Sequence, residues 1–256
     1  MSTVATDRRP GVVVSSDAIG QVTRLTATGL LDATTYLLLR DSIIKAALDD
    51  PRAVIVDVSD LLVPQESALA VFTSARWHVE RWPEVPILLV CDDPYGRDAV
   101  ARNGVTRYIP VYATIESACN ALALVRSRPG RRRARVELPA HVTSLRRSRQ
   151  FVAESLNGWS MPAWIPVAKI VVTTFVENVL AHTDGEAKVR IETDGLTVTV
   201  AVEDTSHSLA NIREPAEVTN APTGLGILNV LCRMWGNSPM PSGKTVWAVI
   251  GPENRL

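Results

Sequence analysis

Apolar and polar residues follow two different patterns along the 256-residue chain. Between Gly11 and about Val125, short apolar runs typical of strands alternate with longer segments whose apolar residues recur at helical spacing. This alternation predicts an α/β domain over residues 11–125. The predicted strands are Val12–Val14, Val22–Thr28, Ala53–Ser59 and Ile87–Asp92. The predicted helices are Ala33–Leu48 with Asp32 as its cap, Ser67–Trp82, Asp93–Gly104 and Thr114–Ser127.

A second domain is predicted over residues 136–252, where the pattern changes. The predicted order is two helices, a β-hairpin, a loop, a helix and a last strand, which describes an α/β sandwich with its helices on one face of the sheet. Asp194–Gly195 is a strong hairpin turn signal between two alternating runs. The predicted elements are His141–Trp159, Pro166–His182, the hairpin Lys188–Asp204, the loop Ser206–Pro222, a helix from Gly224 and the strand Lys244–Ile250.

An Arg-rich segment, residues 126–135, lies between the two predicted domains. It contains six arginines and the chain breaker Pro129–Gly130. We interpret it as a solvated interdomain linker. A nucleic-acid-binding tract is the alternative, but no aromatic residue is interleaved to stack a base. Residues 1–10 are polar and are predicted to be disordered.

The composition narrows the class of protein. A hydrophobic content of 46% and a charged content of 21% are typical of globular domains. The formal net charge is zero, so the chain has no general attraction to nucleic acid or to an anionic membrane. No signal peptide or uninterrupted membrane-spanning run is predicted, which favours a cytoplasmic protein. The three widely spaced cysteines, Cys91, Cys119 and Cys232, are expected to be buried reduced thiols.

Candidate ligand-binding residues lie in the second half of the chain. Gly224 and Gly226 stand at a predicted helix start, where backbone amides can approach a phosphate, although such a pair is also common in tight turns. Asp204 ends a predicted strand, where its carboxylate could accept a hydrogen bond from an exocyclic amine. Asn178 and His182 are four residues apart and share one helix face.

Four short segments in this half resemble, in order and spacing, the boxes of a GHKL-type ATPase domain of the anti-sigma-factor serine kinases. They are VENVLAH (176–182), VEDTS (202–206), TGLG (223–226) and GKTVWAVI (243–250). The resemblance implies that ATP and Mg²⁺ are the cofactors. It assigns Asn178 to Mg²⁺, Asp204 to the adenine amine, Gly224 and Gly226 to the phosphates, Thr245 to the adenine region, His182 to the vicinity of the nucleotide, and residues 207–223 to a lid.

One position departs from the kinase pattern. The family's general base lies four residues before the Mg²⁺-binding asparagine, and here that position is Thr174. A threonine hydroxyl cannot accept the proton of an attacking serine at neutral pH. Glu177 is a possible substitute base, but it lies about 100° around the helix from Asn178. The sequence therefore predicts Mg·ATP binding with slow phosphate transfer or none, and no catalytic residue is assigned firmly.

Residues 11–125 resemble anti-anti-sigma (STAS) domains. The resemblance rests on Gly29–Asp32, on Asp57–Ser59 and on the apolar segment VYATIESACNAL near the end of the domain. The position of the family's phosphoacceptor serine is Glu66 in this chain. Glu66 is either a partial mimic of phosphoserine or simply a favourable first-turn residue. Ser67 remains as an alternative acceptor.

Both resemblances together imply a cytoplasmic partner-switching regulator of sigma-factor activity. The expected partners are a sigma factor, an anti-sigma factor or a STAS protein, with intramolecular docking of the two domains or a homodimer as further options, and neither nucleic acid nor membrane. Two alternatives remain open. One is an active serine kinase that phosphorylates a STAS domain, and the other is an interaction scaffold that does not need ATP.

Overall fold

The computed structural model describes residues 11–123, 131–183, 185–206 and 226–255. The chain divides into two compact units, Met1–Ser127 and Arg128–Leu256. The division falls inside the Arg-rich segment that the sequence predicts as a linker. Each unit is an α/β structure, as predicted.

The N-terminal unit contains a mixed sheet of six strands among its described residues. They are β1 (Val13–Ile19), β2 (Val22–Leu30), β3 (Ala53–Asp57), β4 (Leu61–Leu62), β5 (Ile87–Val90) and β6 (Val111–Tyr112). The order is β1-β2-β3-β5-β6, with β4 also paired to β2. Strand β1 is antiparallel to β2, and the other pairs are parallel. The carboxyl ends of β3 and β5 therefore meet at one edge of the sheet.

Four α-helices and short 3-10 turns complete this unit. The helices are α1 (Tyr36–Leu48), α2 (Ala70–Glu80), α3 (Pro94–Arg102) and α4 (Ile115–Ala123), and a 3-10 turn, Glu66–Leu69, runs directly into α2. Helix α4 packs on the face of the sheet that carries Ala53 and Ile55, while α1 and α2 pack against each other. Strand β3 is consequently buried on both faces, as its continuous apolar run predicts.

The boundaries of α3 follow from side-chain chemistry. Asp93 accepts hydrogen bonds from the backbone amides of Tyr95 (3.2 Å) and Gly96 (2.8 Å), and Pro94 occupies the first turn, where no amide donor is needed. Gly104 has a φ of 75° directly after the helix, a conformation that favours glycine. These residues fix where α3 begins and ends, and hence where Arg102 and Asn103 lie.

The C-terminal unit is a five-stranded antiparallel sheet with two long helices on one face. The strands are β7 (Arg132–Leu138), β8 (Ala187–Thr193), β9 (Val198–Asp204), β10 (Met234–Met240) and β11 (Gly243–Ile250), in the order β10-β11-β9-β8-β7. The helices are α5 (Thr143–Gly158), α6 (Ile165–His182) and the single turn α7 (Leu228–Leu231). Phe175 of α6 packs in a core with Val200 of β9 and Val246 of β11.

Three predictions for this unit need correction. Residues 132–135 form the start of β7 and pair with β8, so the linker is shorter than predicted. Strand β10 was not predicted, because Gly236 and Pro239 interrupt its apolar pattern, which an edge strand tolerates. Helix α7 begins at Leu228, whereas the helix was predicted from Gly224, a residue outside the described part of the chain.

Helix α6 has an unusual composition for a helix of a two-layer domain. The segment Pro162–His182 is long and apolar enough, by length and composition, to cross a membrane, with a mean hydropathy of 1.4 over its most apolar window. The sequence had predicted no such segment. Packing explains the composition, since α6 packs against both α5 and the sheet and buries eight residues.

Candidate functional site

Helix α6 carries one line of candidate residues that runs from the core toward solvent. Thr174 is buried, Asn178 is half-buried and His182, the last helical residue, is exposed. The hydroxyl of Thr174 donates to the carbonyl oxygen of Ile170 at 3.1 Å. Its proton is thus committed within the helix, and no carboxylate stands at this position. Glu177 is exposed beside this line of residues and is not aligned with it.

Asp204 lies at the end of β9 in a buried ion pair that the sequence did not predict. Its Oδ1 atom accepts from Lys244 Nζ at 3.0 Å, and the two side chains are 0% and 3% exposed, respectively. Oδ1 also accepts from the backbone amide of Ser206 at 2.7 Å. The second oxygen, Oδ2, is buried and has no hydrogen-bond partner in the described part of the chain.

The pairing of β9 with β11 changes the role predicted for Thr245. Lys244 is registered opposite Asp204, and Thr245 is registered opposite Glu203. Because adjacent residues of a strand point to opposite faces, Thr245 faces away from Asp204. The hydroxyl of Thr245 instead contacts Met240 Sδ at 3.4 Å. The predicted adenine contact of Thr245 is therefore not supported, and Lys244 stands beside the carboxylate in its place.

Glycines shape the same end of the sheet. Gly243 has a φ of 145°, and a Cβ at this position would collide with the carbonyl oxygen of Asp204. Only glycine lets β11 start this close to the end of β9. Gly226 precedes the four-residue turn α7, which is too short to build a useful helix dipole. Gly224 and the predicted lid, residues 207–223, lie outside the described residues.

The residues present fit a purine nucleotide in part. An acceptor such as Asp204 Oδ2, buried without a donor among the described residues, is a place for an exocyclic amine. Asn178 has an amide oxygen that suits Mg²⁺, and its side chain has no hydrogen bond within the described part of the chain. No group of three His, Cys, Asp or Glu residues there could hold a metal ion. A Mg²⁺ bound mainly by substrate phosphates does not need such a group.

In the N-terminal unit, hydrogen bonds of Asp57 and Ser59 join the carboxyl ends of β3 and β5. Asp57 Oδ1 accepts from the hydroxyl of Ser59 at 2.8 Å and from the Ser59 amide at 3.2 Å. The same hydroxyl accepts from the backbone amide of Asp92 at 3.2 Å. This network explains the spacing of Asp57 and Ser59, because it ties the two strand ends together. The segment that follows, with Glu66 and Ser67, starts from this fixed edge.

Glu66 is held by side chains from the end of α3. Its Oε1 accepts from Arg102 Nη2 at 2.9 Å, and its Oε2 accepts from Asn103 Nδ2 at 3.0 Å. The side chains of Arg102 and Glu66 are 62% and 51% exposed, respectively, so their ion pair contributes at most about 1 kcal/mol to stability. Glu66 therefore does more than favour a helix start, because both carboxylate oxygens bind donors on another element. Ser67 is exposed next to it.

Comparison with known proteins identifies the N-terminal unit. The family model of the STAS domain matches residues 14–118. Residues 14–118 form a STAS domain. A sequence comparison with curated proteins gave no match. The C-terminal unit lies outside the matched range.

Three solved structures are among those similar to this part of the chain. One is an anti-sigma factor antagonist from Mycobacterium paratuberculosis, with 20% identity, a TM-score of 0.39, and coverage of 44% of this chain and 95% of that one. The second is the unphosphorylated anti-sigma factor antagonist SpoIIAA, with 14% identity, a TM-score of 0.36, and coverage of 45% and 100%. The third is a serine-to-glutamate variant of RsbS from Moorella thermoacetica, with 14% identity, a TM-score of 0.37, and coverage of 43% and 94%.

Sequence reasoning missed three residues of these sites. Arg102 and Asn103 carry no local signal, since they lie 36 and 37 residues from Glu66 and meet it only through the fold of the STAS domain. Lys244 had a weak signal, as a cation at the start of a predicted strand and next to Thr245, the residue assigned to the adenine region. Its importance depends on the register of β9 and β11, which the sequence does not specify.

Proposed function

We propose that the protein is a cytoplasmic partner-switching regulator of sigma-factor activity. In this proposal its STAS domain binds a sigma factor, an anti-sigma factor or another STAS protein, and its C-terminal unit binds Mg·ATP. The observation that carries the proposal is the arrangement around Glu66. A STAS domain whose predicted acceptor position holds an encoded carboxylate, bound on both oxygens, carries a negative charge there without any transfer of phosphate.

The charge at Glu66 differs from that of a phosphoserine in amount. A carboxylate supplies one negative charge, whereas a phosphoserine supplies about 1.5 to 2. The donors on Arg102 and Asn103 orient this charge toward α3. A partner that distinguishes the two charge states of a STAS domain would therefore encounter a single state in this one.

Two features support a nucleotide as a ligand rather than as a phosphate donor. The buried Oδ2 atom of Asp204 suits an exocyclic amine. Thr174 stands at the expected position of the base, and its hydroxyl is bonded to the helix backbone. A bound nucleotide shifts a switch only by its differential affinity for two states. The proposal thus assigns Mg·ATP the role of favouring one partner complex over another.

Calorimetric titration of Mg·ATP into the intact protein tests the nucleotide part. Binding is expected in the parent chain, and it should be lost in Asn178→Ala. The matched control is Asn157→Ala, which removes an exposed asparagine of α5 outside the site. Equal binding by all three proteins would remove Asn178 from the site, and absence of binding in the parent chain would refute nucleotide binding.

A second experiment tests the partner part. Purified sigma factors, anti-sigma factors and STAS proteins from the same organism are presented to the intact protein on a biosensor, with and without Mg·ATP. We expect at least one specific complex whose affinity changes with nucleotide. Glu66→Ser should change that affinity, while Glu66→Asp, which keeps the charge, should change it less. If no member of these classes binds, the proposal is wrong.

An ATP-independent scaffold is the second candidate, and one observation favours it. Lys244 already occupies Oδ1 of Asp204, so part of the carboxylate's hydrogen-bonding capacity is used within the protein. The kinase alternative requires phosphate transfer with Glu177 as the base. Incubation with labelled ATP, followed by phosphoserine analysis of this chain and of STAS proteins, distinguishes it. Transfer that Asn178→Ala abolishes would establish the kinase and replace our proposal.

A further inference from the structure

The ion pair between Asp204 and Lys244 offers a buried donor beside a buried acceptor. Lys244 Nζ carries three N–H groups, and its one hydrogen bond within the described part of the chain is to Asp204 Oδ1. Asp204 Oδ2 is buried without a donor there. Both groups belong to side chains that are 3% exposed or less, and of the two only Oδ2 lacks a partner among the described residues. Unsatisfied buried polar groups are costly, so such a pair indicates a ligand that completes it.

The chemistry of that ligand follows from the two groups. It must present a hydrogen-bond donor to Oδ2 and, next to it, an acceptor to Nζ. The pairing edge of adenine has this arrangement, because its exocyclic amine donates and the adjacent ring nitrogen N1 accepts. A ligand with acceptors alone would leave Oδ2 unsatisfied, and one with donors alone would make no use of the remaining N–H groups of Nζ.

We propose that Lys244 is a base-recognition residue that donates to the ring nitrogen N1 of adenine while Asp204 accepts from the amine. This inference rests on the proposed nucleotide binding and assigns the base contact to a residue of this chain that the sequence prediction did not include. In this arrangement the lysine has two functions, since it holds Oδ1 and also contacts the base. Because the pair is shielded from water, the second contact is a hydrogen bond to a charged donor in a low-dielectric environment.

The test pairs a change in the protein with a change of one atom in the ligand. The probes are ATP and its 1-deaza analogue, in which the N1 atom is replaced by C–H. The proteins are the intact parent chain and Lys244→Met. In the parent chain the analogue should bind more weakly by a factor between about 10 and about 150, which corresponds to about 1.5–3 kcal/mol for a hydrogen bond to a charged group. In Lys244→Met the two ligands should bind within a factor of about 2 of each other.

A second ligand provides the matched control. Purine riboside triphosphate lacks the exocyclic amine, so it should bind more weakly than ATP to both proteins, because Asp204 is retained in both. A purely structural role of Lys244 would lower the affinity for all three ligands alike and would leave their ratios unchanged. The coupling between Lys244 and N1 is therefore the decisive quantity.

Each outcome supports or overturns the inference. If the parent chain binds ATP and 1-deaza-ATP equally, Lys244 does not contact N1, while nucleotide binding stands. If the ratio for Lys244→Met equals that of the parent chain, the N1 contact comes from another residue and the inference is again wrong. If the parent chain binds no nucleotide, the proposed function fails and the inference fails with it. Should Lys244→Met not fold, the ratio in the parent chain alone still decides against the inference when it is near one.

Discussion

The buried ion pair at the end of β9 leads to a quantitative prediction about stability. Lys244→Met removes the ammonium but keeps most of the side-chain volume, so it leaves the carboxylate of Asp204 buried without its counter-ion. With side chains 0% and 3% exposed, solvent screening is minimal. Breaking such a pair on one side typically costs about 3–5 kcal/mol. We expect a loss of this size in the free energy of unfolding of the C-terminal unit.

The matched control lies in the same sheet. Lys188 pairs across strands with Glu203 at 3.6 Å, but these side chains are 51% and 31% exposed. Lys188→Met also removes an ammonium from a lysine–carboxylate ion pair, here with a glutamate, and it should cost at most about 1 kcal/mol. The contrast between the two variants isolates the effect of burial.

Native-state hydrogen exchange of peptides from β9 and β11 is the appropriate assay, because it reports the C-terminal unit separately from the STAS domain. The double variant Asp204→Asn with Lys244→Met removes both charges. Its loss in the free energy of unfolding should be at least about 2 kcal/mol smaller than the sum of the losses in the two single variants, as expected for residues in direct contact. A loss below about 1 kcal/mol in Lys244→Met, or strict additivity in the double variant, would refute the reasoning.

Three further predictions concern other features of the C-terminal unit. Phe175→Ala should lower the free energy of unfolding of this unit by about 3–5 kcal/mol, measured by the same exchange assay, because the ring is 1% exposed in the core. Gly243→Ala should destabilise far more than Gly195→Ala in thermal melts, since both glycines have a positive φ but only the Cβ at Gly243 meets backbone atoms. In a carboxyl NMR titration, Glu253 should titrate near pH 2, because hydrogen bonds from Arg233 lower the pKa of the carboxyl from 4.5 to about 2. Any stability from that pair is then complete above pH 4.5 and is lost as the pH falls through 2, and Arg233→Met should raise the pKa of Glu253 toward its ordinary value.

Regular elements with strong periodicity were predictable from the sequence. Strand β3 follows a continuous apolar run, and the turn between β8 and β9 follows from Asp194–Gly195. Asp194 Oδ1 accepts the amides of Leu196 (2.9 Å) and Thr197 (2.7 Å), which is the local reason why this dipeptide turns. Such signals come from neighbouring residues, so they can be recognised in a single sequence without knowledge of the fold.

Elements that depend on distant partners were not predictable. Strand β7 begins with arginines, and its composition indicates a linker until pairing with β8 is known. The face on which Thr245 lies depends on the register of β11 against β9, and a shift of one residue reverses it. The partners of Glu66 lie close to it because Asp93 caps the start of α3 and Gly104 follows its end. These sites therefore depend on tertiary structure, and motif spacing alone does not specify them.

The carboxylate at position 66 also has a consequence for how a cell could control this protein. The charge of an encoded glutamate is present from the moment of synthesis, and a phosphatase cannot remove it. In the proposed switch, graded control would then come from nucleotide binding to the C-terminal unit, from the number of copies made and degraded, or from a binding partner that competes for Arg102 and Asn103. Control through copy number would follow the slow time course of protein turnover, whereas control through a ligand or a partner would follow binding and release.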